Sequence, residues 1–199
     1  MIEVYFDGAC EPRNPGGVAT YGFVIFREGK RIYRGFGVVG CGALGDDVSN
    51  NVAEYTALIK ALKWLLDNGY DREEIVVKGD SQLAIRQLNG IYAVRAPRII
   101  PLYEEAVGLA SKFSKISFRW VPRELNEEAD SLSKKAYREF CEKHREVVLK
   151  YYKRFFATSK QLAFIERLGG DPDPFMSKRE ASKLIDRLLR EKRRTRESA

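Results

Sequence analysis

Four acidic residues lie beside apolar segments, where a surface charge is unusual. Asp7 and Asp80 each follow a run of apolar residues that is typical of a strand. Glu54 and Asp130 each lie about one turn into a segment with helical periodicity. The carboxyl ends of neighbouring strands and the first turns of the helices that cross them meet at one edge of an α/β sheet. We therefore expect these four carboxylates to lie close together.

Such a cluster is typical of a metal site. Four neighbouring carboxylates repel one another unless cations neutralise them, and oxygen ligands favour Mg²⁺, with Mn²⁺ as an alternative. Two ions about 3.5–4 Å apart provide the chemistry of phosphodiester cleavage, because one activates water and the other stabilises the leaving oxygen. Each acid taken alone also fits a turn, a helix cap or a helix-dipole role, so only the full set indicates a metal site.

The periodicity of apolar residues predicts the elements that position these acids. The predicted strands are Ile2–Asp7, Thr20–Arg27, Lys30–Val39, Glu74–Lys78 and Lys115–Val121. The predicted helices run from near Ser49 to Asn68, from Ser81 to about Leu88, over Pro97–Phe113 and over Asn126–Tyr151. A short, Gly-containing segment, Arg27–Lys30, favours a hairpin between the second and third strands. Three strands followed by alternating strands and helices indicate an α/β fold with a mixed sheet.

The C-terminal third has a different composition. Residues 134–199 contain 19 Lys and Arg against 10 Asp and Glu, whereas residues 1–133 contain 16 against 18. Two capping-box sequences, Thr158–Gln161 and Ser177–Glu180, predict a basic helix–loop–helix module at residues 158–192. A helical connector is predicted at residues 144–157, and a frayed tail at residues 193–199. The basic excess indicates a polyanionic partner, and our hypothesis is that the module adds non-specific affinity for a duplex. A solvated tail, packing on the body and self-association are the alternatives.

Other features exclude several classes of protein. Cys10, Cys41 and Cys141 are odd in number and contain no Cys-x-x-Cys pair, so neither a disulfide framework nor a zinc site is indicated, although a single pairing stays open. The first residues lack the pattern of a signal peptide, and no apolar run approaches the roughly 18 residues that span a bilayer. We expect a cytoplasmic protein without a membrane partner, and we expect a monomer.

Four segments resemble, in order, the motifs of type 1 ribonuclease H. They are Asp7–Gly17, Ser49–Leu58, Gly79–Gly90 and Trp120–Asp130, and the resemblance covers residues 1 to about 140. It implies a ribonuclease H catalytic domain at residues 1–143, with a five-stranded mixed sheet flanked by helices, and leaves the helix–loop–helix as a small appendage. It also implies an enzyme: a metal-dependent endonuclease, a hydrolase that cuts the RNA strand of an RNA–DNA hybrid by a two-metal-ion mechanism.

The resemblance assigns roles to ten positions. It implies that Asp7, Glu54, Asp80 and Asp130 are catalytic residues that bind two Mg²⁺ ions. It also implies substrate contacts at Asn14, Asn50, Asn51, Gln82, Arg123 and Asn126. Neutral amides suit this task, because they can both donate to and accept from a 2′-OH, the group that distinguishes RNA from DNA. Asn14 also fits a turn and Asn50 a helix cap, and both roles are compatible with substrate contact.

Two departures from the family pattern keep alternatives open. Many bacterial relatives have a His in the loop before the last acid, but here residues 121–125 contain none, and His144 is expected at the surface. Arg123 or Glu124 can substitute, or the step proceeds without a side-chain relay. Leu88–Leu102 also lacks the basic, Trp-containing handle helix of better-known members. Cleavage of double-stranded RNA and a non-catalytic duplex-binding module are therefore the alternative functions.

Overall fold

A computed structural model describes the backbone of residues 1–197 and the side chains of residues 1–194. The chain divides into two compact units, of which the first is formed by Met1–Phe140 and the second begins at Cys141. None of the helices in the described part of the chain is long and apolar enough to cross a membrane.

The first unit contains a five-stranded sheet. Its strands are β1 (Ile2–Glu11), β2 (Val18–Arg27), β3 (Lys30–Cys41), β4 (Glu74–Gly79) and β5 (Lys115–Trp120). Their order across the sheet is β3-β2-β1-β4-β5. The first three strands pair antiparallel, whereas β4 pairs parallel with both β1 and β5. The predicted α/β fold with a five-stranded mixed sheet is therefore confirmed.

The hairpin between β2 and β3 turns through Glu28 and Gly29. Both residues have positive φ, 53° and 76°. This combination gives a two-residue turn whose twist matches that of the flanking strands. Gly29 adopts it without strain because it has no Cβ. The hairpin that the sequence favours is confirmed.

Four helices begin in the first unit. They are α1 (Asn50–Asp67), α2 (Gln82–Leu88), α3 (Ile100–Ala110) and α4 (Glu127–Lys143). Ser49 caps α1, because its Oγ accepts a hydrogen bond from the backbone N–H of Val52 at 3.3 Å. Leu58, Leu62 and Leu65 recur at helical spacing and are fully buried in the core with β1 and β4. This packing fixes the first turn of α1 against the sheet.

Two predicted boundaries are wrong because long-range contacts decide them. β1 continues to Glu11, through residues that the sequence places in a loop, because Gly8–Glu11 pair with the start of β2. The predicted helix Asn126–Tyr151 consists of two helices, α4 and α5 (Arg145–Tyr151), which are separated at His144. The other helices and strands of the first unit occur where they are predicted, with ends that shift by up to three residues.

The second unit contains α5, α6 (Ser159–Arg167) and α7 (Lys178–Glu197). Thr158 and Gln161 form a reciprocal cap, in which each side chain accepts a hydrogen bond from the backbone N–H of the other residue at 3.0–3.2 Å. Ser177 and Glu180 do the same, at 2.7 Å and 3.1 Å. Both predicted capping boxes are confirmed.

A short backbone pairing between Phe156 and Ser177 links the segment before α6 to the start of α7. The rings of Phe156 and Phe175 pack edge to face, 6.1 Å apart, and both are buried. The predicted connector therefore pairs with the module that it precedes. α7 is helical through Glu197, so the frayed tail predicted from residue 193 is wrong as far as Glu197. Residues 198 and 199 lie outside the described part of the chain.

The three cysteines, Cys10, Cys41 and Cys141, are buried. Cys10 donates a hydrogen bond from its Sγ to the backbone oxygen of Arg13 at 3.3 Å. Burial raises the pKa of the Cys10 thiol above its ordinary value. Cys10 is therefore disfavoured as a reactive thiolate.

Candidate active site

Asp7 lies within β1, and Asp80 directly follows β4, the parallel neighbour of β1. Tyr5 of β1 is opposite Lys78 of β4, so two further residues along each strand lead to Asp7 and Asp80. Gly8 lets α1 approach this edge of the sheet, because a Cβ there would lie 2.2 Å from the backbone nitrogen of Glu54. The glycine directly after Asp7 therefore allows Glu54 to lie beside Asp7.

The Asp7 carboxyl is almost fully buried, with 8% of the residue exposed. Ser133 donates a hydrogen bond from its Oγ to Asp7 Oδ2. The pKa of Asp7 is raised to about 6, with burial as the largest cause. The hydrogen bond from Ser133 and the charge of Arg123 lower this pKa, whereas the negative charges of Asp80 and Asp130 raise it. Asp7, Asp80 and Asp130 are therefore close enough to interact electrostatically.

The pKa of Glu54 is shifted further from its ordinary value than that of Asp7. Burial raises the pKa of the Glu54 carboxyl to about 8, against a hydrogen bond from Ser81, and the charges of Asp7 and Asp80 add to the increase. Its Oε2 is buried without a hydrogen-bond partner. A buried carboxylate oxygen without a partner is costly in a folded protein. Glu54 is thus poised to lose its proton when a cation approaches.

Asp130 is held by two cations. Arg123 Nη2 lies 2.6 Å from Asp130 Oδ1, and Lys134, one turn later in α4, pairs with Oδ2. Burial alone would raise the pKa of Asp130, but the hydrogen bonds from Lys134 and Arg123 outweigh it and lower the pKa below its ordinary value. The exposed Arg123 side chain therefore lies at the acidic cluster, in the loop that lacks a His.

Asn126 is buried behind the acids. The residue is 1% exposed, and its Nδ2 donates hydrogen bonds to the backbone oxygen of Phe6 at 2.9 Å and to Asp80 Oδ1 at 2.8 Å. Asn126 thus holds the Asp80 side chain against β1, and the substrate contact at Asn126 stays a prediction. Trp120 supports Asp80 through a hydrogen bond from Nε1 to the Asp80 backbone oxygen, at 3.0 Å.

The remaining predicted substrate residues lie near the surface. Asn14 and Gln82 are exposed, whereas Asn50 and Asn51 are partly buried in the first turn of α1. Asn14 Oδ1 accepts a hydrogen bond from the backbone N–H of Asn50 at 3.0 Å, which joins the β1–β2 loop to the start of α1. Since Ser49 caps the helix, the side chain of Asn50 does not.

Sequence reasoning missed Ser133, Trp120 and Lys134 at this site. Ser133 and Lys134 follow Asp130 by three and four residues in α4, so helical spacing places them on the same face. That signal was available in the sequence. Trp120 is half exposed, and no local pattern indicates its hydrogen bond to a residue 40 positions away.

The donor set fits a divalent cation, although the side chains are not arranged around one. Among the described residues, no three His, Cys, Asp or Glu side chains stand close enough to hold one ion. Asp130 is occupied by Arg123 and Lys134, and one oxygen of Asp80 is occupied by Asn126. The unpartnered Oε2 of Glu54 and the raised pKa values of Glu54 and Asp7 are costs that a divalent cation removes.

Comparison with known proteins gives the family. Residues 5–136 match the Reverse transcriptase-like family. The chain is 36% identical over 135 residues to Ribonuclease HI of Halobacterium salinarum, a match that covers 68% of this chain and 63% of that protein. The chain thus belongs to the Reverse transcriptase-like family, within the ribonuclease H-like fold. The match spans less than two thirds of the halobacterial protein, and the family match ends before the second unit begins.

Solved structures agree with this assignment. The crystal structure of RNase H1 from Halobacterium salinarum is 34% identical, with a TM-score of 0.62 over 69% of this chain and 98% of that one. LC11-RNase H1, solved in complex with an RNA/DNA hybrid, is 32% identical, with a TM-score of 0.61 over 68% of this chain and 96% of that one. The chain is therefore similar to type 1 ribonucleases H, as the resemblance of its motifs implies.

Proposed function

We propose that the chain is an endoribonuclease that hydrolyses the RNA strand of RNA–DNA hybrids with two divalent metal ions. The observation that supports this proposal is the mutual influence of the carboxylates of Asp7 in β1, Glu54 in α1, Asp80 directly after β4 and Asp130 in α4. Asp80 and Asp130 raise the pKa of Asp7, and Asp7 and Asp80 raise that of Glu54. Negative charge concentrated at one sheet edge is unfavourable for binding a polyanion unless cations join the site.

Asp7, Glu54, Asp80 and Asp130 would hold the ions, with Mg²⁺ as the expected metal and Mn²⁺ as the alternative. Divalent ions at such a site activate water and stabilise charge on the leaving oxygen. The chain's own residues prepare the site. Ser133 and Asn126 orient Asp7 and Asp80, and Arg123 and Lys134 neutralise Asp130 before a metal binds.

Recognition of the hybrid is assigned to polar side chains that are exposed or partly buried beside the acids. Asn14, Asn50, Asn51 and Gln82 lie at the β1–β2 loop and in the first turns of α1 and α2, and their amides can donate to and accept from a ribose 2′-OH. Arg123, which is exposed beside Asp130, can pair with a phosphate. The hybrid bound to LC11-RNase H1 supports the same class of substrate for this chain.

The test is cleavage of an RNA–DNA hybrid labelled at the RNA 5′ end, with Mg²⁺ and with a chelator. Products that end in 3′-hydroxyl and 5′-phosphate groups, formed only with metal, support the proposal. An RNA–RNA duplex and single-stranded RNA of the same sequence test the alternative substrates. Equal cleavage of the RNA–RNA duplex would replace hybrid selectivity with general duplex cleavage. Binding of the hybrid without cleavage under any metal condition would leave only the duplex-binding alternative.

A further inference from the structure

The charge of the chain is divided unequally between its two units. Residues 1–140 contain 19 Lys and Arg and 19 Asp and Glu, whereas residues 141–199 contain 16 against 9, which accounts for the whole net charge of +7. A first unit without net charge, with acids clustered at its site, offers a polyanion no overall attraction. Long-range attraction to nucleic acid must therefore come from the second unit.

The positive charge of α7 follows one face of the helix. Lys183, Arg187 and Arg190 lie three or four residues apart and are all exposed. With a rise of about 1.5 Å per residue, they extend over about 10 Å of the helix axis, which matches about three successive phosphates of one strand at 3.4 Å each along a duplex. Arg187 is neutralised in part, since its Nε lies 3.8 Å from Glu191 Oε1 at the surface. Exposed pairs of this kind are weak and exchange readily for phosphate.

The opposite face of α7 packs inside the second unit. Ala181 is fully buried, and Leu188 packs against Gly170, where an added Cβ would lie 2.7 Å from Leu188 Cδ1. Gln161 of α6 donates hydrogen bonds to the backbone oxygen of Lys178 and to Ser182 Oγ, both at 3.1 Å. A helix that lies on a membrane needs a free apolar face. Because this face of α7 is occupied by α6, a nucleic-acid backbone is the better match for the exposed cations than a lipid surface.

We propose that Lys183, Arg187 and Arg190 of α7 form a phosphate-binding stripe that holds the backbone of the duplex that the first unit cuts. This inference rests on the proposed function for the identity of the duplex. The stripe contacts the sugar-phosphate backbone and not the bases, so it adds affinity without sequence preference. Linking it to the first unit raises the effective concentration of the substrate at the acidic cluster.

The test compares two triple variants of the full chain with the same net charge. K183Q/R187Q/R190Q removes the stripe, and K30Q/K60Q/K112Q removes three exposed lysines of the first unit that have no role in the proposed binding. Binding of a fluorescent RNA–DNA hybrid is measured without divalent ions, between about 50 and about 200 mM KCl, where the affinity falls by roughly 0.9 log units per log unit of salt for each neutralised phosphate. The stripe variant should bind at least about tenfold more weakly at the lowest salt, and its salt slope should flatten by about 2 to 3. The lysine control should keep the wild-type slope.

A second measurement does not depend on how the variants fold. Acetylation of Lys183 in the wild-type chain is followed by mass spectrometry with and without the hybrid, with Lys30 as the internal reference. Protection of Lys183 and not of Lys30 supports the stripe. Equal acetylation of Lys183 with and without hybrid, or a stripe variant whose salt slope equals that of the lysine control, overturns the inference.

The outcomes separate this inference from the proposed function. If the wild-type chain cuts the hybrid but the stripe variant keeps its affinity and slope, the stripe is wrong and the nuclease stands. If the wild-type chain does not cut the hybrid, but the stripe variant binds it more weakly than the wild type does, the proposed nuclease activity is wrong and the phosphate-binding stripe is supported. Vesicles of phosphatidylserine provide the third arm. Binding of the wild-type chain to vesicles that depends on the stripe, without an effect on the hybrid, assigns this face to membranes and contradicts the proposal.

Discussion

The two units use charge in opposite ways. In the first, a few carboxylates are buried at the edge of the sheet, and burial together with mutual repulsion raises the pKa of Asp7 and Glu54. In the second, many basic side chains are exposed on helices, where salt screens each one. The difference separates two tasks: reactive chemistry needs a small number of charges in fixed, desolvated positions, whereas holding a polyanion needs many solvated charges that act together.

The largest expected effect comes from neutralising one buried acid of the first unit. D7N should lower the rate of hybrid cleavage by about a thousandfold or more, which corresponds to about 4 kcal/mol of lost transition-state stabilisation. Hybrid binding should be unchanged or tighter, because a negative charge is removed. D67N, which changes an exposed acid at the end of α1, is the matched control and should keep the wild-type rate. Single-turnover cleavage rates test both variants, and a D7N rate within tenfold of wild type would contradict the assigned role.

The next largest effect is expected on the free energy of unfolding, through the buried carboxyl of Glu54. The pKa of Glu54 is about 8 in the folded chain, against 4.5 for an ordinary Glu, so the folded state binds more protons than the unfolded state between these values. Without divalent metal, the free energy of unfolding should therefore fall as the pH rises through this window and level off above it. E54Q should lose most of this dependence, and above about pH 8 it should be more stable than wild type by on the order of 4 kcal/mol.

Urea denaturation across this pH range checks the prediction. Mg²⁺ should stabilise the wild-type chain more than E54Q at high pH, because binding to the folded state shifts the unfolding equilibrium. Parallel pH curves for the two proteins, with equal responses to Mg²⁺, would show that the environment of Glu54 is not the one described.

A smaller effect is expected from the buried amide behind the acids. N126A removes the donors to the Phe6 backbone oxygen and to Asp80 Oδ1, so the free energy of unfolding should fall by about 1–3 kcal/mol for the groups left unpaired. N89A is the matched control, since Asn89 is exposed and its Nδ2 donates a hydrogen bond to the Phe118 backbone oxygen at 3.1 Å. Its loss should stay within about 0.5 kcal/mol. Equal decreases in the free energy of unfolding for N126A and N89A would contradict the positioning role of Asn126.

The smallest effect on hybrid cleavage is expected from a substitution in the second unit. His144 is the only His in the chain and lies in the second unit, just before α5. H144Q should give a pH–rate profile that superimposes on that of the wild type within about twofold, because no His belongs to the acidic cluster. Loss of a limb of the pH–rate profile in H144Q would show that the second unit takes part in the chemistry.

The sequence predicts those parts of the fold and site that depend on local patterns. Ser49 and Thr158 cap their helices as predicted, because capping involves neighbouring residues only. The alternating strands and the glycine turn at Gly29 are equally local. The four acids could be grouped because each stands beside an apolar segment. That they influence one another electrostatically is consistent with the grouping, whereas their role as metal ligands stays a prediction.

The rest depends on contacts between distant residues. The continuation of β1 to Glu11 requires its partner in β2, and the break at His144 has no Gly or Pro to announce it. The burial of Asn126 follows from hydrogen bonds to residues 120 and 46 positions away, which no local periodicity contains. A motif assigned Asn126 to the site, and its burial and hydrogen bonds show that it positions an acid, whereas its contact with substrate stays a prediction.

The most direct test is anomalous diffraction from crystals of the full chain grown with Mn²⁺. Two Mn²⁺ peaks are expected beside β1 and β4, about 2 Å from oxygens of Asp7, Glu54, Asp80 and Asp130, with Asp130 released from Arg123 or Lys134. Peaks elsewhere, or no peak within bonding distance of Asp7 and Glu54 at saturating Mn²⁺, would contradict this expectation.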